Sequence, residues 1–329
     1  MKTGAWFRFS TRCIGRMVVL FSVPLIVSVS EAEDYPSRPL RIIAPISAGG
    51  PSDTAARLAA TALSKQLKQS VVVENRTGAG GIVGTEMART APSDGYTLLE
   101  SIAATFSVIP IAKSVPYDPE KDFIPLGQIW SAPQALVVSA SSRFKSVKDL
   151  VSAAREKPGS VTFGSAGVGT TTHLSILLLQ KAANISVTHV PYRGTVNSVA
   201  DIMAGNIDAA FGDISNVLPF IEGGKLAVLA TTGVERSQLL PNMPTMKEAG
   251  LTDVVTVNWY GLHVSSKTPP SIVATLKKAV RAMQDDREFK AALEKNGTST
   301  GTVGSDAFAA LIHEERARLM PIVHAVSLK

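Results

Sequence analysis

A chain of 329 residues exceeds one small core and suits two lobes of roughly 100–150 residues each. With 45% hydrophobic and 18% charged residues and ordinary Gly and Pro content, disorder and fibrous structure are excluded. The net charge of +6 is spread without a basic stripe of interleaved aromatics, which argues against nucleic acid as a partner.

The chain starts with a basic segment, Lys2, Arg8, Arg12 and Arg16, followed by an apolar run from Met17 to Val29 and small residues at Ser28, Ser30 and Ala32. That order predicts a secretory signal peptide over residues 1–32, removed on export to the periplasm. The apolar run is shorter than the roughly 20 residues of a membrane span. Residues 1–32 account for half of the net charge and leave the mature chain near +3. They also contain the single cysteine, Cys13, so the mature protein has no disulfide, cysteine nucleophile or thiolate metal ligand.

Beyond residue 34, short apolar strands alternate with amphipathic helices, which predicts α/β lobes with largely parallel sheets. Strands are expected at 40–44, 71–73, 96–99, 135–139, 161–164, 187–190, 209–211, 226–230 and 260–264. Helices are expected at 147–155, 171–183, 196–204, 271–283, 288–295 and 305–320, with two more after the glycine turns near 50 and 80. The Pro- and charge-rich stretch 115–123 reads as a loop.

Three segments share the order strand, glycine-rich turn, helix start: Pro45–Asp53, Asn75–Gly84 and Phe163–His173. Each places backbone N–H groups at a helix N-terminus, where an anion is held without a cationic side chain. Ser47, Ser165, Thr170 and Thr171 add hydroxyls. The same turns also read as ordinary connections with Asp53 or Thr170 as helix caps. Their place at strand C-termini in both halves of the chain favours a cleft closed from two sides. Tyr192-Arg193-Gly194 is a further strand-to-helix turn. Asp213, at a strand end, lines the cleft or caps the strand; Trp259-Tyr260 lines it or packs between lobes.

Catalytic readings are weaker. Gly78-Ala79-Gly80 is followed by Val83 where a dinucleotide fingerprint needs glycine, although Glu100 stands at about the spacing of a ribose contact. Ser165 has Phe163 where a nucleophile elbow needs glycine. His173, His189, His263, His313 and His324 have no metal-ligand spacing. No catalytic residue, metal or cofactor is expected.

The motifs resemble the Bug (Bordetella uptake gene) family, the extracytoplasmic solute receptors of tripartite tricarboxylate transporters. Matching segments include Tyr35–Leu40, Ala48–Asp53, Glu74–Gly81, Pro92–Leu99, Val115–Pro119 with Lys121–Phe123, Ser165–Thr170 with His173-Leu174, His189–Gly194, Pro241–Thr245 with Glu248–Gly250, and Trp259–Gly261. The resemblance implies a type II periplasmic-binding-protein fold, with residues 33–130 plus 253–329 as lobe I and 131–252 as lobe II. It implies capture of a small mono- or dicarboxylate by a monomer that performs no chemistry, and delivery to membrane transporter subunits. A sensor that presents its closed form to a two-component kinase would use the same fold. Carried over by position, the ligand residues are Ser47, Ala48, Gly49, Gly50, Asp53, Gly80 and Gly81 from lobe I. From lobe II they are Ser165, Ala166, Gly169, Thr170, Thr171 and His173, with Asp213 further out for specificity. Ala48 replaces the family's usual proline, Val168 its usual asparagine and Ile46 its usual phenylalanine, changes that bear on ligand identity.

Overall fold

The computed structural model describes residues 35–295 and 303–325, with Met1, Gly4 and Trp6 near the start. The expected leader, residues 1–32, and the His324 side chain lie outside what is described, those three positions apart.

The strands are β1 (Leu40–Ala44), β2 (Val71–Asn75), β3 (Thr97–Ile102), β4 (Phe123–Ser139), β5 (Thr162–Ser165), β6 (Thr188–Pro191), β7 (Ala209–Asp213), β8 (Leu226–Thr231) and β9 (Val257–Ser265). The helices are α1 (Pro51–Leu67), α2 (Ile82–Thr90), α3 (Ile109–Ala112), α4 (Val147–Glu156), α5 (Thr171–Ala183), α6 (Thr195–Ala204), α7 (Ile214–Glu222), α8 (Pro270–Asp285), α9 (Arg287–Lys295) and α10 (Ser305–Ala325). The strands form one ladder, β2-β1-β3-β9-β4-β7-β5-β6, with β8 beside β4.

Two parallel triplets, β2-β1-β3 and β7-β5-β6, sit at opposite ends of this ladder. The strands between them do not follow the expected parallel pattern: β9 runs antiparallel to β3 and β4, and β4 antiparallel to β7 and β8. Parallel neighbours need a helical crossover, and chain passing between the lobes has none, so it returns antiparallel. The result is a mixed α/β fold of the two-lobed, type II periplasmic-binding-protein kind.

β4 belongs to both sheets. It pairs with β9 from Phe123 to Pro133, then with β7 from Gln134 onward. Pro125 and Gly127 flank a register shift, which explains how proline sits in a central strand and why only 135–139 read as strand.

Each side has its own apolar core. Leu40, Leu63, Leu98, Trp130 and Leu262 anchor one; Leu136, Phe163, Leu178 and Phe211 anchor the other. α1 lies close on its sheet because its inward face is mostly alanine, and Pro51, with φ preset for a helix, opens it. A π-type turn, Ala104–Val108, leads into α3, and neither it nor α7 was expected from the sequence. α10 joins the cores: Phe308 and Ile312 pack beside Phe106 and Trp259, while Leu319 and Val323 enter the second core.

Candidate ligand-binding cleft

The strand-to-helix turns of both sheets converge on one cavity of about 600 Å³. Pro45–Ser52 comes from the β1–α1 turn, and Thr77, Gly78, Gly80 and Gly81 from the β2–α2 turn. Ile102 and Ala104 follow from the end of β3. The opposite wall is Ala166 and Thr170–Thr172 before and within α5, Arg193–Asn197 at the start of α6, and Asp213 and Asn216 around the start of α7. Asn258 and Tyr260 of β9 complete the lining. Asp213 and Arg193 are the only charged residues among those lining it.

Four amides of the glycine turns are taken up by nearby side chains. Gly49 N–H donates to Asp53 Oδ2 at 3.0 Å, Ala166 N–H to Thr172 Oγ1 at 2.9 Å, Gly167 N–H to Ser165 Oγ at 3.1 Å, and Gly169 N–H to His173 Nδ1 at 3.2 Å. Further donors come from the helix first turns, whose amides have no intrahelical acceptor. α1, α2, α6 and α7 all begin at the cavity without a side-chain cap. α4, away from it, is capped by Ser146. α5 is capped by Thr170, yet its Thr171 and Thr172 also face the cavity. The walls are therefore electropositive through backbone dipoles.

Of the residues expected at the site, Ser47, Ala48, Gly49, Gly50, Gly80, Gly81, Ala166, Thr170, Thr171 and Asp213 line the cavity. Asp53, Ser165, Gly169 and His173 stand behind it and hold its turns. Asp53 accepts from Gly49, Arg57 Nε (2.9 Å) and Asn75 Nδ2 (2.9 Å). Burial pushes its carboxyl up, but these donors outweigh it and hold the pKa below the usual value. Ser165 is fully buried, 2.7 Å from His189 Nε2 and bonded to both ends of Gly167. His189 stacks on His173, ring centroids 4.1 Å apart. Burial, with His189 alongside, pushes His173 down to about 4. The serine and its histidine thus face the interior of the turn rather than the cavity. Val168 is half exposed and does not line the cavity.

Asp213 Oδ2 accepts from Asn258 Nδ2 at 2.9 Å and from the Tyr260 hydroxyl at 3.4 Å. Burial raises its carboxyl to about 6, against the lowering effect of those donors and of the Gln134 amide. Tyr260 closes the cavity floor, whereas Trp259 packs away from it and donates to Glu315. His263 is buried against Phe106, and burial lowers it to about 3; His313 meets Glu120 on the surface. Glu100, fully buried beneath α1, accepts from Ser52 Oγ at 2.6 Å, and burial pushes its pKa well above the usual carboxylate range.

Sequence reasoning missed Ile102, Ala104, Asn197, Asn216 and Asn258. Asn197 and Asn216 are third residues of helices that follow strands, a readable signal once α7 is recognised. Asn258 carries no such signal, because only the antiparallel return of β9 brings it to Asp213.

The sequence profile described as "Tripartite tricarboxylate transporter family receptor" (TctC) matches residues 55–328. A protein of Pseudomonas sp. (strain P51), described as "UPF0065 protein in tcbD-tcbE intergenic region", is 35% identical over 318 residues, 94% of each chain. Among solved structures, "R. palustris Rpa4515 with adipate" superposes with a TM-score of 0.81 at 29% identity, covering 88% of this chain and 98% of its own. "MatC (Rpa3494) from Rhodopseudomonas palustris with bound malate" gives 0.78 at 28% identity, covering 88% and 100%. The uncapped helix starts, the two-sheet ladder and these likenesses lead to one assignment: the chain belongs to the tripartite tricarboxylate transporter receptor (TctC, Bug-type) family of periplasmic binding proteins.

Proposed function

We propose that this protein is an exported receptor that captures a small mono- or dicarboxylate in the cavity, performs no chemistry on it, and hands it to membrane transporter subunits. The observation that carries the reading is the convergence of helix starts on one cavity, uncapped at α1, α2, α6 and α7, with the Thr170-capped start of α5 beside them. In this reading residues 1–32 are removed on export, and residues 33–130 with 253–329 close against 131–252. One carboxylate sits on the first turns of α1 and α5, supported by Ser47–Gly50, Thr170 and Thr171. Asp53, Ser165, Gly169 and His173 act by holding those turns in shape. Arg193, beside the α6 start, suits a second carboxylate. The adipate and malate named for two similar structures fit the same ligand class.

A thermal-shift panel of carboxylates, amines and sugars tests this. A carboxylate at about 100 times its Kd adds about 2.7 kcal/mol to stability. A panel in which only amines or sugars raise Tm overturns the reading. Mass spectrometry of the natively purified protein identifies the occupant directly.

A further inference from the structure

β3 carries an acid where its pattern calls for an apolar residue. All six of its residues are buried, and Glu100 shares a face with Leu98 and Ile102, both members of the core that includes the inward alanines of α1. In sequence Glu100 stands at the spacing of a ribose contact. The fold instead sets it beneath the first turn of α1, where capture at the glycine turns gives it no role.

Glu100 is fully buried. Its only hydrogen-bond partner among the described residues is Ser52 Oγ, 2.6 Å from Oε2, and Oε1 is buried without one. None of the ion pairs among the described residues includes it. The charged group that bears on it is Asp53, an anion one residue after Ser52. Tyr260 of β9, the other titratable group facing it, is a neutral phenol.

Three placements of hydrogen are open to the Ser52–Glu100 pair. Ionised, Glu100 accepts from Ser52, but it is then a buried charge with one hydrogen bond, no counter-ion and an anion nearby, which folded proteins avoid. Neutral and accepting at Oε2, it keeps its own hydrogen on Oε1, a buried donor with nothing to receive it. Neutral and donating from Oε2 to Ser52 Oγ, it leaves unpaired only a carbonyl-type oxygen, the orphan that folded proteins tolerate more readily. The unpartnered Oε1 therefore favours the third placement, and 2.6 Å suits an O–H···O bond. That placement frees the Ser52 hydrogen. Ser52 Oγ has no further partner among the described residues, and Ser52 is the second residue of α1, in an uncapped first turn that lines the cavity.

We propose that Glu100 is a positioning residue of the carboxylate site: as a neutral acid it donates to Ser52 Oγ and turns the Ser52 hydroxyl hydrogen toward a carboxylate bound at the α1 start. Ser52 thereby joins Ser47–Gly50 as a ligand residue, and its bond to Glu100 runs opposite to that of an ionised acid. An ionised Glu100 would take up that hydrogen and set a negative charge behind the bound anion. The assignment rests on carboxylate capture in this cavity.

Infrared difference spectroscopy at pH 7 reads the acid directly. The C=O stretch of a neutral carboxyl stands apart from carboxylate bands and shifts with its hydrogen bonding. Subtracting Glu100→Gln from the unsubstituted protein isolates this band from those of other buried acids such as Glu315. The probes are acetate, malate, adipate and benzoate. The expected result is a neutral-acid band that shifts when a probe that raises Tm is added, and that the same probe leaves in place in Ser52→Ala. Glu100→Gln, whose amide can donate to Ser52 as the neutral acid does, should keep the probe's affinity within about twofold. Ser52→Ala should weaken it at least about fivefold, the factor of one ordinary hydrogen bond. Absence of the band means an ionised Glu100 and overturns the proposal. So does a band that a bound probe does not move, or a Ser52→Ala variant that binds as tightly as the unsubstituted protein. If Glu100→Gln does not fold, Ser52→Ala identifies the band, because loss of the hydroxyl must shift it. If none of the four probes raises Tm, the capture reading falls and this role with it; if one does and the band stays in place, the role of Glu100 alone falls.

Discussion

Asp53 Oδ2 accepts the backbone N–H of Gly49 across a single turn, at 3.0 Å. Gly49 has φ +85°, a conformation that side chains rarely adopt, and nothing lies within 4 Å of where its Cβ would be. The turn is therefore held by a carboxylate on one side and by backbone freedom on the other. Gly49→Val places a β-branched residue in the left-handed region, at about 1–2 kcal/mol, whereas Gly49→Asn is better tolerated there. Isothermal titration with a carboxylate identified in the panel should show Val weakening binding more than Asn. Equal affinities would mean that the turn does not contribute to the site.

The same carboxylate gives a pH dependence. Its folded pKa is depressed, so its stabilisation is full above the unfolded value, near 3.9, and is lost as pH falls through the folded one. Asp53→Asn should reduce stability at pH 7 by about 1–3 kcal/mol, as expected for unsettling buried hydrogen bonds, and flatten the acid limb of the denaturation profile below pH 4. Urea titrations at pH 7 and pH 3 check both effects; a mutant as stable as wild type at pH 7 would contradict the role.

His173 acts in a neighbouring pH range. Gly169 N–H donates to its Nδ1, so the ring must be neutral there. The folded pKa of about 4 lies below the unfolded value near 6.5, so its stabilisation is present above pH 6.5 and lost as pH falls toward 4. The full effect is about 3 kcal/mol at most. His173→Asn keeps an acceptor near the Nδ1 position and does not titrate. Stability measured between pH 7 and pH 4.5 should slope less in this variant than in wild type.

Asp213 has the opposite sign. Its folded pKa of about 6 exceeds the unfolded value near 3.9, so ionisation above pH 6 costs stability, up to about 3 kcal/mol. Asp213→Asn should raise Tm at pH 8 and make little difference at pH 4. A lower Tm at pH 8 would show that the ionised carboxyl is more useful to Asn258 and Tyr260 than its burial is costly.

A carboxylate built into the wall should compete with the ligand. Asn216 is the third residue of α7, beside an uncapped helix start. Asn216→Asp is expected to stabilise the protein by about 0.3–1 kcal/mol through the helix dipole. It should weaken carboxylate binding at least tenfold, about 1.4 kcal/mol. Calorimetry and thermal melts must move in opposite directions; improved binding would rule out an anion at this wall.

Local elements were legible wherever the pattern was local. α5 starts and ends where its periodicity and Thr170 predicted, and β1 coincides with its apolar run. β4 was read as a short strand because Pro125, Gly127 and Pro133 interrupt it; bulges and the change of partner at Gln134 make those residues tolerable. α7 was missed because Pro219 lies inside its nine residues.

The glycine turns, their place after strands and the position of the single cysteine at residue 13 followed from the sequence by itself, because turn chemistry and composition are local properties. Which amides in those turns stay free was decided only by tertiary structure. Asp53, Ser165 and His173 read as ligand contacts, yet their side chains fold back onto the turns and take up the amides of Gly49, Gly167 and Gly169. The donors left for a ligand include those of the α1, α2, α6 and α7 starts, which no side chain caps. Asn258 joins the site for a similar reason: it meets Asp213 only because β9 returns antiparallel across the middle of the ladder, a pairing between residues 45 positions apart that no local pattern encodes.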